Sequence, residues 1–264
     1  MSPKVSILMS SATFDPFFED CLRCIEEQSF RDFEVILVVE KDKDKYEALF
    51  KKFEIDETRF RVIVSYLPGF ATCLNLGLQS CVGLYVARMD TDDLMSHDRL
   101  HKQATFLDGN PEVGIVGSKA IAVDKNGDRI KGMKLRFYET DSAIKAVLPF
   151  RNPLFHSALM LRRNLFTKFG GYKYDFHAQD HECWIRWMIQ DPSVKFHNIP
   201  EALYFYRRHE NQGTHVRHAR RAFRDISCFL LRFFLQTGNP KYLLGIVFIV
   251  PVFRKIRNFI LRRQ

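Results

Sequence analysis

Between Val5 and Met89, short apolar runs alternate with stretches in which apolar side chains recur every third or fourth position. Val5–Met9, Phe33–Val39, Arg61–Ser65 and Leu84–Met89 read as strands, and the continuous apolar character of the first is that of a strand buried on both faces. Pro16–Gln28, Tyr46–Phe53 and Phe70–Gln79 read as helices, the first amphipathic with a proline tolerated in its opening turn. Regular alternation of strand and helix predicts an α/β fold: a mainly parallel sheet flanked by helices. Further on, Leu100–Leu107 reads as a helix, and Val113–Gly117 and Ser157–Leu161 as strands. Asp124-Lys125-Asn126-Gly127 reads as a turn. Asp180–Ile189 reads as a helix with Cys183, Trp184, Trp187 and Met188 among its apolar positions. No internal repeat or low-complexity linker interrupts the pattern.

The 264 residues, 46% of them hydrophobic, suffice for one large domain, or a domain with an appendage, built on a buried core. The opening apolar run is too short and wrongly flanked for a signal peptide, which places the expected site in the cytoplasm. Six cysteines fit a reducing compartment. Cys21 and Cys24 form a C-x-x-C pair, but inside the apolar pattern Phe17, Phe18, Cys21, Leu22, Ile25. Buried structural thiols are therefore expected there, in preference to a redox or zinc pair.

Charge divides the chain at residue 217. Residues 217–264 hold eleven Lys and Arg against one acid, Asp225, while the remaining 216 residues sum to −1. The net charge of +9 thus belongs to the tail. That distribution argues against a nucleic-acid-binding fold and for a local anionic partner such as a lipid surface. Residues 1–216 form the expected main domain. Residues 217–264 are expected to associate with a membrane or to pack on protein.

Three places carry candidate chemistry. Asp90-Thr91-Asp92-Asp93 follows the strand Leu84–Met89, and its carboxylates repel one another unless a cation is present. Open α/β sheets bind ligands at that end of their strands, and hard carboxylate oxygens suit Mg2+ or Mn2+ bridging to phosphate. A solvated acidic turn is the alternative. Asp180, near the start of the Trp-rich helix, is either a helix cap or a general base. Arg207-Arg208-His209, with Asn211, Gln212 and His215 behind them, is either an exposed polar loop or a contact to diphosphate or acceptor. His156 is either a buried, hydrogen-bonded histidine or a ligand contact. Phosphate-binding glycine motifs of the dinucleotide and P-loop kinds are absent, as is the G-x-S-x-G of hydrolases.

The order of Val5-Ser6-Ile7-Leu8-Met9, Glu34–Glu40, Asn75-Leu76-Gly77-Leu78, Ala87–Asp93, Asn110-Pro111, Arg151-Asn152-Pro153 with His156, Gly170-Gly171-Tyr172 and Gln179-Asp180 resembles family 2 glycosyltransferases of the GT-A fold. The likeness runs from about Val5 to His209 and is similar to amylovoran-type, O-antigen and capsule glycosyltransferases of bacteria. It implies an inverting transfer of a sugar from a nucleotide diphosphate, a UDP-sugar, to an acceptor hydroxyl, with a nucleotide-sugar-binding half over about 1–117 and an acceptor half over 118–216. Asp90 and Asp92 would be the D-x-D pair that holds Mn2+ or Mg2+, with Asp92 the main ligand. Asp180 would be the base. Ser10, Glu40, Asn75 and Arg88 match donor-binding positions, and His156, Gln179, Arg207 and His209 are acceptor-side candidates.

The chain departs from the family at Ser10-Ser11-Ala12-Thr13, where Pro-x-Tyr-Asn is usual, and at Glu40-Lys41-Asp42, where Asp-Gly-Ser is usual. Gln179-Asp180 replaces the usual Glu-Asp. The rival readings are a sugar-nucleotide pyrophosphorylase, which needs a Gly-rich, Arg-containing phosphate loop after the first strand, and a non-catalytic subunit of a membrane assembly. A polyprenyl-diphosphate-linked acceptor would give the basic tail a purpose at the inner membrane's cytoplasmic face. On that view a chain ending near His215 is expected to stay soluble and keep donor hydrolysis.

Overall fold

A computed structural model describes residues 2–56, 58–173, 178–209 and 219–249. The first half is strand and helix in alternation: β1 (Val5–Ser11), α1 (Phe18–Glu26), β2 (Phe33–Val39), α2 (Lys43–Lys52), β3 (Phe60–Val64), α3 (Phe70–Ser80) and β4 (Tyr85–Arg88). A two-residue β5 (Leu94–Met95), α4 (Arg99–Gly109) and the long β6 (Val113–Val123) follow. Then come α5 (Asp141–Val147), a 3-10 turn (His156–Ala158), β7 (Met160–Arg162), α6 (Asn164–Phe169), α7 (Gln179–Gln190), β8 (Lys195–Arg207), α8 (Ala219–Thr237) and α9 (Lys241–Ile249).

The eight strands form one sheet in the order β3-β2-β1-β4-β7-β6-β8-β5. β1, β2, β3 and β4 are mutually parallel, as are β6 and β8. β7 runs antiparallel to both β4 and β6, and β5 antiparallel to β8. The chain leaves β1 toward β2 and β3, then returns to place β4 on the other side. The carboxyl ends of β1 and β4 thus flank the topological switch point, where open α/β sheets bind ligands.

Alternation along β1 explains the two-sided core. Val5, Ile7 and Met9 pack with Phe18, Cys21, Leu22 and Ile25 of α1, whose spacing puts them on one helix face. Leu8 points to the other face, against Leu74 of α3. Gly77 lets α3 come this close, since a Cβ there would lie 2.4 Å from Leu8 Cδ1. Cys21 is a buried free thiol pushed well up by desolvation, as expected of a structural cysteine. The Asn-Gly turn forms, with Gly127 at φ +88° and its N–H donating to Asp124 O.

Two expectations change. Ser157–Leu161 is not one strand: its first half is the 3-10 turn, and only Met160–Arg162 pairs with β4 and β6. The polar stretch beginning at Arg207 is not simply an exposed loop: Arg207 closes the 13-residue strand β8 and is completely buried. Asn211, Gln212, His215 and Arg217 lie outside the described residues, as do the cations from Arg254 onward.

In its described part the tail packs on the domain. Phe229, Leu230 and Phe233 of α8 and Tyr242 of α9 enter the same buried cluster as Trp184 and Trp187 of α7. Phe229 meets the His181 ring edge-on at 5.4 Å, and Arg232 Nη2 donates to the buried Glu182 at 2.5 Å. A chain ending near His215 would lack Phe229, Leu230 and Phe233 and so would strip apolar cover from α7. No helix among the described residues is long and apolar enough to cross a membrane.

Candidate active site

β4 ends at Arg88, and the chain then turns through Met89 into Asp90-Thr91-Asp92-Asp93 at the carboxyl edge of the sheet. Carboxylate oxygens of Asp90, Asp92 and Asp93 lie within 4.8 Å of one another. Asp90 and Asp92 are partly exposed, whereas Asp93 is fully enclosed. Burial and the neighbouring Asp90 raise the Asp92 carboxyl above its ordinary range, and the same causes act more strongly on Asp93. His209 Nε2 stands 2.9 Å from Asp92 Oδ2, with its ring against Phe17. Thus His209 belongs beside the acidic loop. The carboxyl of Asp15, in the β1–α1 loop, is raised by burial within the same electrostatic neighbourhood.

The loop is held from below. Arg207 donates its backbone N–H to Asp93 Oδ1 at 2.8 Å and its Nε to Asp92 O at 2.8 Å. Its Nη2 reaches Asp20 of α1 at 2.9 Å, and the guanidinium covers the Phe17 ring. Arg88 is likewise buried: it bonds Asp90 Oδ1 and the carbonyls of Leu8 and Met89, and lies 5.1 Å from the Phe70 ring centroid. Its Nε has no partner among the described residues.

On the donor side, Ser10 is buried near the end of β1, with its Oγ unpartnered among the described residues. Glu40, just past β2, accepts from Gly69 N–H at 2.8 Å and so fixes the entry to α3. Asn75 is committed to structure: its side chain exchanges two hydrogen bonds with the Tyr172 backbone, at 2.7 and 2.9 Å. It pins the Gly170-Gly171-Tyr172 segment to α3.

Asp180 occupies the first turn of α7. Its Oδ2 accepts from Asn152 Nδ2 at 2.6 Å and its Oδ1 from the His181 N–H at 2.8 Å. Asn152 is aimed by its own turn, in which its side-chain Oδ1 accepts from Leu154 N–H at 3.1 Å. Burial pushes the Asp180 carboxyl up to about 6, against the opposing effect of these bonds and of Arg88. His156 shares a 2.8 Å hydrogen bond with Tyr172 Oη and stacks edgewise on Trp184 and Phe70. Desolvation and the Arg88 charge hold it well below the usual imidazole range, so it is neutral. Gln179 is buried at the first position of α7.

Arg88 therefore lies between two halves, bonded to Asp90 on one side and acting through its charge on His156 and Asp180 on the other. Phe70, Asn152 and Tyr172 join the site with no role assigned to them from the sequence, although Asn152 and Tyr172 lie in segments that carry the family resemblance. Asn152-Pro153 marks a turn, and nothing in the residues themselves says which carboxylate the amide will meet.

Residues 7–170 match the glycosyl transferase family 2 model, and the chain belongs to that family. It is a glycosyltransferase. It is 27% identical over 234 residues to the O-antigen biosynthesis glycosyltransferase WbnJ of Escherichia coli, covering 88% of this chain and 89% of that one. The amylovoran biosynthesis glycosyltransferase AmsE of Erwinia amylovora is 27% identical over 187 residues, or 70% and 68% of the two chains. Among solved structures, S. aureus TarS 1-349 in complex with UDP-GlcNAc superposes with a TM-score of 0.67 at 16% identity, over 88% of this chain and 66% of that chain. The mannosyltransferase PcManGT of Pyrobaculum calidifontis, in complex with GDP-Man and Mn2+, gives 0.65 at 19%, over 94% and 70%. The fold is GT-A, mixed in strand direction and mostly parallel.

Proposed function

We propose that this glycosyltransferase is inverting and metal-dependent and moves a sugar from a UDP-sugar to a hydroxyl of a lipid-linked saccharide in bacterial surface polysaccharide synthesis. The observation that carries the reading is the pairing of a carboxylate loop at the switch point with a separate, half-buried carboxylate, Asp180, raised to about 6 and aimed by Asn152. The donor set fits a divalent cation: Asp90 and Asp92 offer partly exposed oxygens and His209 offers an imidazole nitrogen beside Asp92. Carboxylate with imidazole suits Mn2+, and carboxylate alone Mg2+. Asp93, with both oxygens engaged, is the internal anchor of the loop. Bound there, the ion would offset charge developing on the departing diphosphate.

Asp180, ionised at neutral pH and close to its own pKa, takes the proton of the acceptor hydroxyl as the oxygen attacks the anomeric carbon. The new carbon–oxygen bond forms on the face opposite the nucleotide diphosphate, whose bond to the sugar breaks, so an α-linked donor gives a β-linked product. Ser10, Glu40 and the Phe70 end of α3 border the nucleoside. The names of WbnJ and AmsE support a role in surface polysaccharide synthesis, and the TarS complex supports a UDP-sugar. The exposed cations Arg220 and Arg224 and the exposed apolar Leu231, Leu235, Leu244 and Val247 suit a peripheral place on the cytoplasmic face of an anionic membrane.

Calorimetry with UDP and Mn2+ tests the site. Asp92→Ala is expected to lose metal-dependent nucleotide binding, and wild-type affinity in that variant would remove the metal site.

A further inference from the structure

Tyr204 Oη donates to Asp93 Oδ2 at 2.7 Å and stands 3.4 Å from the Asp90 nitrogen, whose N–H it accepts. One phenol oxygen thus ties together the first and last residues of the acidic loop. Ser157 also reaches this hydroxyl. A phenol has one hydrogen and two acceptor positions, so Asp93, Asp90 and Ser157 account for its full capacity.

The ring is fixed from behind. Tyr204 is completely buried in β8, and the Arg99 guanidinium lies 5.0 Å from its ring centroid. Arg99 is itself fully enclosed and is held by Arg88 O at 2.8 Å, Leu159 O at 3.3 Å and Gln103 Oε1 at 3.0 Å. The short pairing of Leu94 with Phe205 and of Met95 with Tyr204 sets the register that brings the phenol under the loop.

We propose that Tyr204 is a positioning residue for donor binding: acting through Asp90 and Asp93, it sets the spacing of Asp90 and Asp92 and thereby the affinity for a divalent cation with a nucleoside diphosphate. Tyr204 touches neither ligand. The inference rests on the metal-dependent reading above and adds the residue that fixes the geometry of its site. Without the phenol, a buried carboxylate loses a charge-assisted bond and the Asp90 amide loses its acceptor. Bonds to charged groups of this kind carry enough free energy for an effect of about tenfold or more.

Tyr204→Phe keeps the ring, and with it the packing on Arg99. Free Mn2+ is followed by electron paramagnetic resonance during titration with UDP, and in parallel with GDP. The variant is expected to take up Mn2+ with UDP about tenfold or more weakly than wild type. In donor turnover the Mn2+ concentration for half-maximal rate should rise by the same factor, while the rate at saturating Mn2+ stays near wild type. Asp93→Asn should weaken uptake likewise, and the double variant should be no weaker than the worse single one. Uptake by Tyr204→Phe within twofold of wild type overturns the proposal and leaves the metal reading standing. A wild type that takes up no Mn2+ with either nucleotide overturns both. Should Tyr204→Phe fail to fold, Asp93→Asn is read in its place, and wild-type uptake by that variant overturns the proposal equally.

Discussion

Removing the Asn152 amide should move the acid limb of the rate profile, with a size that follows from the geometry. Asn152 Nδ2 donates to Asp180 Oδ2 at 2.6 Å, and the bond favours the ionised form of a carboxyl that burial has already raised to about 6. A hydrogen bond to a charged group is worth roughly 1.5–3 kcal/mol, and one pKa unit is about 1.4 kcal/mol. Asn152→Ala should therefore raise the Asp180 pKa by about 1–2 units, to roughly 7–8. At pH 7 the ionised fraction falls from about nine-tenths to between a half and a tenth, and the rate falls about two- to tenfold. At pH 9 both proteins are ionised and their rates should converge. The assay is nucleoside diphosphate release from the donor, with water or a saccharide as acceptor, measured between about pH 5 and 9.5. An acid limb that stays near 6 in Asn152→Ala, or a deficit equal at every pH, would refute the argument that this amide tunes the base.

Four further outcomes follow from contacts and exposures described above. Asp180→Asn should keep donor affinity but lose nearly all transfer, because an amide cannot accept the proton; turnover near wild type would leave Asp180 no role as base. The folded Asp180 pKa lies above its ordinary value, so ionisation destabilises the fold as pH rises through about 6. Melting curves should accordingly show Asp180→Asn gaining on wild type at pH 8 relative to pH 4. Phe229→Ala should cost about 3–5 kcal/mol of stability by emptying a core position, and denaturant unfolding showing a loss under about 1 kcal/mol would contradict the packing of α8. Leu235→Glu, at a side chain 74% exposed, should leave melting unchanged but weaken pelleting with anionic liposomes about tenfold or more; equal pelleting would exclude this face as the contact.

The part of this molecule that could be read from its residues is the part whose signals are local. β1, β2, α3 and the Asp90–Asp93 loop follow one another within a span where apolar run, helical spacing and acidic turn are each visible. β8 carries Pro200 within its run, which ordinarily demotes a strand. Here shifts in pairing register between Ser118 and Ala120 of β6 accommodate that irregularity. β5, at two residues, has no periodicity to detect. His209 stands out in the sequence only as part of a polar cluster open to either reading, an exposed loop or a contact to diphosphate or acceptor, and its place beside Asp92, 117 residues earlier, depends on how β8 crosses the sheet. Asn152 and Tyr204 are the same case: ordinary residue types made specific by a partner distant in sequence. Cations dominate the composition of the tail, so the packing that Phe229, Leu230 and Phe233 carry does not stand out in it.

The burial of α8 against α7 also bears on the order of synthesis. The sheet, the acidic loop and Asp180 all leave the ribosome before the helix that covers Trp184 and Trp187. Until Phe229, Leu230 and Phe233 follow, the nascent chain carries a nearly finished catalytic half with one apolar side open. That unfinished surface is what a chaperone would hold, and it makes premature termination in α8 far more damaging than its distance from the carboxylates suggests.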